Sequence, residues 1–417
     1  MALWSLVAGL CACALAQPPA ARAQSADRLA DPLRLPDVLR YARAHRAEIQ
    51  AAQARARAAA ARPDAVSGME DPVVFPALNH LPFDLKGANY SLTVEQRFPL
   101  SSNLSRRRRV AEAELSRVRS EGERVALDVE LRAAEAFLML HERRAMARIV
   151  AAQQALAQQV VQTAAARYAT ASSTQADALR AEIEVARLAA AVQASAAEIR
   201  AAEIMLNVNL GRAPDAAVPE LALGTGESAL IAADGARKTA LARRPELRSS
   251  LAEVNRYTAE VSVMESMYTP MAMLRTGPAY TMMDGPGWML EVGLSVPLWR
   301  DKLRAGVSEA RAMVEMAQAD SRALRNMIEG EVLAAREQVL GARARYVALQ
   351  EQVVPRAQQA IEPAIAAYAA GQLPLVSVIE TAQALWTSEA ELVSAEVELG
   401  LAAAKLDRAL GARGNKP

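Results

Sequence analysis

The sequence lacks most of what an enzyme or a nucleic-acid-binding protein needs. Its 48 basic and 47 acidic side chains nearly cancel, so there is no basic excess for binding nucleic acid. Aromatic residues make up only 4% of the chain, and alanine-rich stretches instead favour long, closely packed helices. No nucleophile, phosphate-binding or dinucleotide-binding motif occurs, and the three histidines (His45, His80 and His141) stand far apart. The sequence therefore predicts no catalytic residue, no cofactor and no metal site.

Cysteine is confined to Cys11 and Cys13, inside an apolar run (residues 3–16) that is too short to span a bilayer. An A-x-A pattern follows at residues 21–23, so residues 1–23 are predicted to be a secretory signal peptide. Its removal would leave the mature chain without cysteine, and therefore without a disulfide. Because no basic residue precedes the run, a mis-assigned start or a short N-terminal anchor stays open, as does lipidation at Cys13.

What the sequence does contain is one stretch that occurs twice. Residues 90–98 alternate between apolar and polar side chains, the pattern of a strand with one apolar face, and the pattern stops at Pro99. The same alternation recurs at residues 288–296 and stops at Pro297. Identical residues keep one offset of 198: Leu92, Val94, Pro99, Leu100 and Arg106 match Leu290, Val292, Pro297, Leu298 and Arg304. The chain is therefore predicted to be a duplicated domain.

Each copy of this stretch leads into long helical segments. Between about residues 106 and 166 only Gly122 interrupts a run of helix-forming residues, which predicts a helix of roughly 90 Å. A break at residues 168–174, and a second helix at about residues 175–210 that is stopped by Gly211, complete a helical hairpin.

Prolines mark further expected boundaries. Pro63 and Gly68 are predicted to end the first helix of the mature chain. Pro76 removes a backbone donor and should weaken the first strand. Pro355 and Pro363 are predicted to kink or break the long helix of the second half.

The predicted fold class is mainly α with a small β part, built as two tandem repeats of two strands plus a long helical hairpin. The signal peptide (residues 1–23) is followed by a first repeat (24–212), a linker (213–238) and a second repeat (239–417).

Four strands are too few to close a barrel, and lipid does not tolerate an open sheet edge. Three copies of the chain would supply twelve strands. A trimer could therefore close a 12-stranded β-barrel that continues as a long α-helical barrel. Leu92, Val94, Leu290 and Val292 would face lipid, whereas Thr93, Glu95, Arg97, Glu291 and Ser295 would face water. A strand pair packed on a soluble core is the alternative.

These features together resemble the TolC family of outer-membrane efflux ducts. The resemblance rests on the paired strand-to-helix junctions at residues 96–100 and 294–298, on the Arg-Pro-Glu-Leu segment at 244–247, and on two hairpin turns. It extends over the whole mature chain. It implies a homotrimer in the outer membrane of a Gram-negative bacterium, with a large periplasmic part. It also implies two partners, a periplasmic adaptor protein and an inner-membrane pump of the RND type.

The resemblance also assigns roles to the hairpin tips. The tip from Tyr368 to Gly371 resembles the Y-x-x-G turn of the family, and the first hairpin has a degenerate version with Tyr168, Ala171 and Asp177. The resemblance implies that both tips dock the adaptor at the periplasmic end.

Just past the second tip, the family often places two acidic residues at the closed entrance. Glu380 occupies one such position, whereas Ser377 replaces the other acid. Three copies of Glu380 would form a cation-attracting constriction. The alternative is that Glu380 is an ordinary solvated helix residue.

Two features bear on the substrate. Residues 71–84 resemble a strand segment of family members that serve heavy-metal efflux pumps, and residues 264–289 contain seven of the 15 methionines. Thioethers suit soft metal cations, although methionine also simply fills apolar strand faces. The predicted function is the exit duct of a tripartite efflux system for heavy-metal cations. A duct for drugs or organic solutes, or for type I secretion, is the alternative. A periplasmic coiled-coil scaffold without a pore is a more remote one.

Overall fold

The computed structural model describes residues 29–80, 88–170, 173–223 and 233–412. The first half contains a short strand, two helices, two long strands and a helical hairpin. These are β1 (Leu33–Arg34), α1 (Leu35–His45), α2 (Ala47–Ser67), β2 (Val73–His80), β3 (Asn89–Pro99), α3 (Asn103–Ala169) and α4 (Gln175–Leu210).

The second half repeats this order. Its elements are β4 (Leu221–Ala222), α5 (Ala233–Arg243), α6 (Pro245–Ser266), β5 (Met271–Thr281), β6 (Gly285–Ser295), α7 (Arg300–Ala348), a π-helical turn (Leu349–Val353), α8 (Val354–Ala369) and α9 (Leu375–Ala409). The predicted duplication and the mainly α fold class are confirmed. Strand β4 and the start of α5 fall within the residues predicted as a linker, and the division into domains stays a prediction.

The four long strands form one antiparallel sheet in the order β2-β3-β5-β6, so the two repeats meet at its centre. The predicted alternation is present, because the apolar side chains of β3 and β6 lie exposed on one face (Leu92, Val94, Leu290 and Val292). On the other face Ser91, Thr93 and Glu95 are buried. The described helices do not pack across the sheet. This face is therefore concave, and its residues bury one another.

The prolines behave differently from the predictions. Pro76 lies in β2, an edge strand of the sheet, and the strand continues through it to His80. Gly68 ends the first helical segment as predicted, but the prediction for Pro63 was wrong: α2 continues to Ser67, with Pro63 buried inside it. Packing against the much longer α3 holds α2 helical past the missing hydrogen bond.

Pro355 distorts its helix without breaking it. A π-helical turn directly precedes Val354, and this wider turn relieves the clash between the Pro355 ring and the preceding carbonyl groups. Pro363 does not break its helix, because α8 runs through Pro363 to Ala369 while packed on α9.

The helices form a wall that continues the sheet. Helix α3 has 67 residues and is therefore about 100 Å long. Near the strands α2, α3, α6 and α7 lie side by side, and further away α4, α3, α9 and α8 do. Among the described residues, no helix combines the length and apolar character needed to cross a membrane.

Equivalent joints fix the short helices to the ends of both hairpins. The buried Arg244 donates to Glu246 Oε2 at 3.1 Å, to Glu331 Oε2 at 2.9 Å and to the Ala409 carbonyl at 3.1 Å. The first repeat has the same joint, formed by Arg46, Glu48 and the Val208 carbonyl. The Arg-Pro-Glu-Leu segment therefore holds the end of a hairpin.

A second set of ion pairs joins the two repeats near their middle. Arg408 of α9 contacts Asp128 of α3 at 2.7 Å and Glu246 of α6 at 2.5 Å. Burial raises the pKa of Glu246, but a backbone hydrogen bond and the charges of Arg408 and Arg244 outweigh burial and keep this pKa below its ordinary value. The carboxylate is therefore ionised at neutral pH and ties the repeats together.

The end of the second hairpin requires a glycine. Gly411 has φ +64°, and a Cβ there would lie 2.9 Å from the backbone carbon of Arg243. Replacing Gly411 by Ala should destabilise the protein by about 1–2 kcal/mol or more, through the left-handed conformation and the backbone clash. Gly330 is the matched control, since it lies inside α7 with open space around its Cβ position. Gly330→Ala should stabilise the protein by about 0.4–1 kcal/mol. Thermal unfolding, monitored by the circular dichroism of the helices, distinguishes the two variants. Equal unfolding midpoints would contradict the requirement for a glycine at Gly411.

Candidate functional site: the hairpin tips and the strand layer

The tip of the first hairpin is closed by a capping box. Thr174 Oγ1 accepts from the Asp177 backbone N–H at 3.3 Å, and Asp177 Oδ2 accepts from the Thr174 N–H at the same distance. Asp177, predicted as a docking residue, thus fixes the start of α4. Tyr168 is exposed before the turn. Ala171, also predicted at this tip, lies outside the described residues.

The tip of the second hairpin turns at Gly371. Its φ is +79°, and the N–H groups of Gly371 and Gln372 donate to the carbonyls of Tyr368 and Ala367 at 3.0 and 2.9 Å. These two hydrogen bonds end α8, and α9 begins after Pro374. A positive φ explains why a glycine closes the Y-x-x-G turn.

Arg167 links the two tips. Its guanidinium donates to the Tyr368 carbonyl and lies 4.6 Å from the centre of the Tyr368 ring. Tyr368 is only 3% exposed, against 48% for Tyr168 at the equivalent place. Burial raises the pKa of the Tyr368 hydroxyl; the charge of Arg167 lowers this pKa and that of Asp177 raises it. Sequence reasoning missed Arg167, although its counterpart Ala367 breaks the repeat at that position and was an available signal.

Below this contact both hairpins share one apolar cluster. Its buried members come from α3, α4, α8 and α9: Ala164, Ala181, Tyr368, Leu375 and Val378. The tips of one protomer are therefore packed together by apolar side chains and held by one cationic link.

The predicted constriction residues lie one helical turn apart at the start of α9. Glu380 is exposed, whereas Ser377 is half-buried and its N–H donates to the Pro374 carbonyl at 3.1 Å. One protomer does not bring two carboxylates together at this place, and the assignment of a pore constriction stays a prediction.

The predicted junction residues lie at the ends of the strands. Pro99 is the last residue of β3, and Pro297 lies between the end of β6 and the start of α7. Aromatic side chains flank the exposed apolar face at both ends. Tyr90 stacks on Tyr280 with ring centres 5.0 Å apart near one end, and Trp299 lies exposed at the other.

Comparison with known proteins agrees with this architecture. Residues 236–412 match the model of the family "Outer membrane efflux protein". No curated protein sequence matches the chain.

Similar solved structures cover both repeats. The outer-membrane channel OprN is 19% identical, with a TM-score of 0.78 over 90% of this chain and 89% of that one. CusC, whose conformational changes accompany transmembrane channel formation, is 14% identical with a TM-score of 0.79, over 91% and 92% of the two chains. The outer membrane protein VceC of Vibrio cholerae is 17% identical with a TM-score of 0.73, over 91% and 96%. The shared fold thus extends beyond the residues that match the family.

Residues 236–412, in the second repeat, match the outer membrane efflux protein family, and the chain as a whole has the fold of the outer-membrane channels OprN and CusC. It is a protein of the outer membrane, with its long helices in the periplasm.

Replacing Arg167 by Ala should loosen the contact between the two tips. Among the described tip residues, Arg167 is the only cation that lies over the Tyr368 ring. Spin labels at Gln175 and Gln372, on a chain whose two cysteines lie in the predicted signal peptide, would report the distance between the tips. We expect a broader and longer distance distribution in Arg167→Ala.

Arg180→Ala is the matched control, since Arg180 is exposed on α4 close to the same tip. Its distance distribution should equal that of the wild type. The same broadening in both variants would mean that any lost charge loosens the tips.

Proposed function

We propose that this protein is a passive exit duct, a homotrimer that conducts substrate across the outer membrane from a periplasmic adaptor and an inner-membrane pump. The observation that carries the proposal is the sheet: four strands with two free edges, an apolar exposed face, and a helical wall leading away from it. Free edges are not tolerated in lipid, and three such sheets joined edge to edge form a closed barrel of twelve strands.

The exposed face has the height of a bilayer core. Trp288 and Trp299, both largely exposed, are eleven residues apart. Strand β6, which contains Trp288, runs from Gly285 to Ser295, which is about 33 Å along an extended strand, or about 25 Å of height at a tilt of about 40°. Aromatic side chains at the two borders of an apolar band are typical of membrane interfaces. This match supports lipid as the partner of the exposed face.

The helical wall supports a tube. Its central helices are rich in small side chains, and the buried residues of α3 include many alanines among few larger residues. Small residues let helices approach closely, so twelve helices of three protomers can form a tunnel of about 100 Å. The tips would then lie at the far end, where an adaptor docks, with Glu380 of each protomer around the entrance.

For the substrate, we infer heavy-metal cations delivered by a pump of the RND type. The sequence resemblance at residues 71–84 supports this choice. Strand register adds that Met271, Met273 and Met289 share the concave face with Glu95. Thioethers on a channel wall give soft cations weak contacts on the way out. Drugs and organic solutes are the competing substrates.

Planar bilayers test the duct directly. The purified protein should be a trimer, fractionate with the outer membrane and conduct ions. Glu380→Gln should reduce the preference for cations, whereas Glu391→Gln, an exposed acid further along α9, should not. A soluble protein without conductance would instead support a periplasmic coiled-coil scaffold.

Deletion of the gene tests the substrate. Cells that lack the protein should become more sensitive to copper, silver, zinc, cobalt or cadmium, and plasmid-borne protein should restore tolerance. A parallel panel of drugs and detergents distinguishes the alternative. Unchanged metal tolerance with increased drug sensitivity would discard the metal assignment and keep the duct.

A further inference from the structure

The four-stranded sheet contains only four Asp, Glu, Lys or Arg residues among the residues that the structure describes, and all four are linked. They are Glu95 and Arg97 of β3, Arg275 of β5 and Glu291 of β6. In register, Glu95 lies opposite Arg275, and Arg275 lies opposite Glu291. We call these four residues the charged row.

Arg275 is the centre of the charged row. Its Nη2 lies 2.5 Å from Glu95 Oε2, and its Nη1 lies 3.3 Å from Glu291 Oε2. Glu95 also accepts from Arg97 Nε at 3.2 Å. The Arg275 guanidinium further lies 4.8 Å from the ring centre of Phe75, so the row reaches all four strands.

The charged row lies on the concave face. Glu95 is only 3% exposed, although the neighbouring Val94 is exposed on the apolar face. The ion pairs join the four side chains across the strands, and Arg97 and Glu291 stay 58% and 50% exposed. If the proposed function is right, this concave face is the wall of the barrel lumen.

Each protomer contributes two negative and two positive charges to the charged row. The row is therefore neutral, and one residue, Arg275, compensates two carboxylates. We propose that Arg275 determines the ionic selectivity of the barrel: with it the wall passes cations and anions alike, and without it the wall becomes a cation filter. This inference rests on the proposed function and adds to it a selectivity element distant from the hairpin tips.

The test is the reversal potential of single channels in planar bilayers across a KCl gradient. Arg275→Gln leaves one uncompensated negative charge per protomer and should shift the potential towards that of K⁺. Glu95→Gln leaves one positive charge and should shift it towards that of Cl⁻. The double variant Glu95→Gln/Arg275→Gln is neutral again and should return to the wild-type value. Since all three break the same ion pair, opposite signs separate charge from a loosened fold.

Ionic strength gives a second readout. The Debye length is about 30 Å at 0.01 M salt and about 3 Å at 1 M, so both shifts should be large in dilute KCl and vanish in concentrated KCl. The same variants are also measured in a protein that carries Arg167→Ala, whose loosened tips should no longer limit the current.

Failure of this inference is distinct from failure of the duct. Absence of wild-type conductance would refute the proposed function. Conductance with one unchanged reversal potential in all variants, or shifts of the same sign in Arg275→Gln and Glu95→Gln, would overturn the role of Arg275 alone.

Discussion

The free backbone groups along β2 and β6 are the constraint on which the rest of the structure depends. A sheet of four strands with an apolar outer face cannot leave two rows of N–H and C=O groups unpaired in lipid. In the proposed trimer, edge-to-edge association pairs these groups and brings the helices of neighbouring protomers together below the sheet.

Duplication explains the architecture, and departures from it mark the specialised places. The joints at Arg46 and Arg244 are equivalent in both repeats, as are the glycines that follow their hairpins. Among the described residues of the two tips, only the first hairpin offers an arginine to its neighbour, at Arg167, and among the described helices only the second hairpin contains a π-helical turn. In a ring built from both hairpins, the contact of Arg167 between the tips can therefore loosen while the joints at Arg46 and Arg244 stay fixed.

Much of this fold follows from local patterns. Alternation in residues 90–98, the glycine at Gly211 and the long run of helix formers predict β3, α3 and α4 with small errors at their ends. Pro63 misled because packing on α3, not local preference, decides whether α2 continues. Arg275 and Arg167 could not be assigned from the sequence, because their partners lie 180 and 201 residues away. Sequence periodicity places Glu95 on a face; only the fold shows which cation compensates it.

Glu95 in the strands is compensated by arginines, whereas Glu380 near the tips is exposed. This difference is consistent with different tasks for the two regions. Glu95 is held by Arg275 and Arg97, so it cannot bind a passing ion without breaking existing bonds. Glu380 lies exposed at a helix start beside the half-buried Ser377, which is an alcohol and not a second acid. A duct that selects at its entrance gains nothing from selecting again at its exit, since a second charged ring would slow release of the ion already admitted. In the proposed duct, a neutral barrel behind an entrance lined by Glu380 therefore adds no second site at which the ion is held.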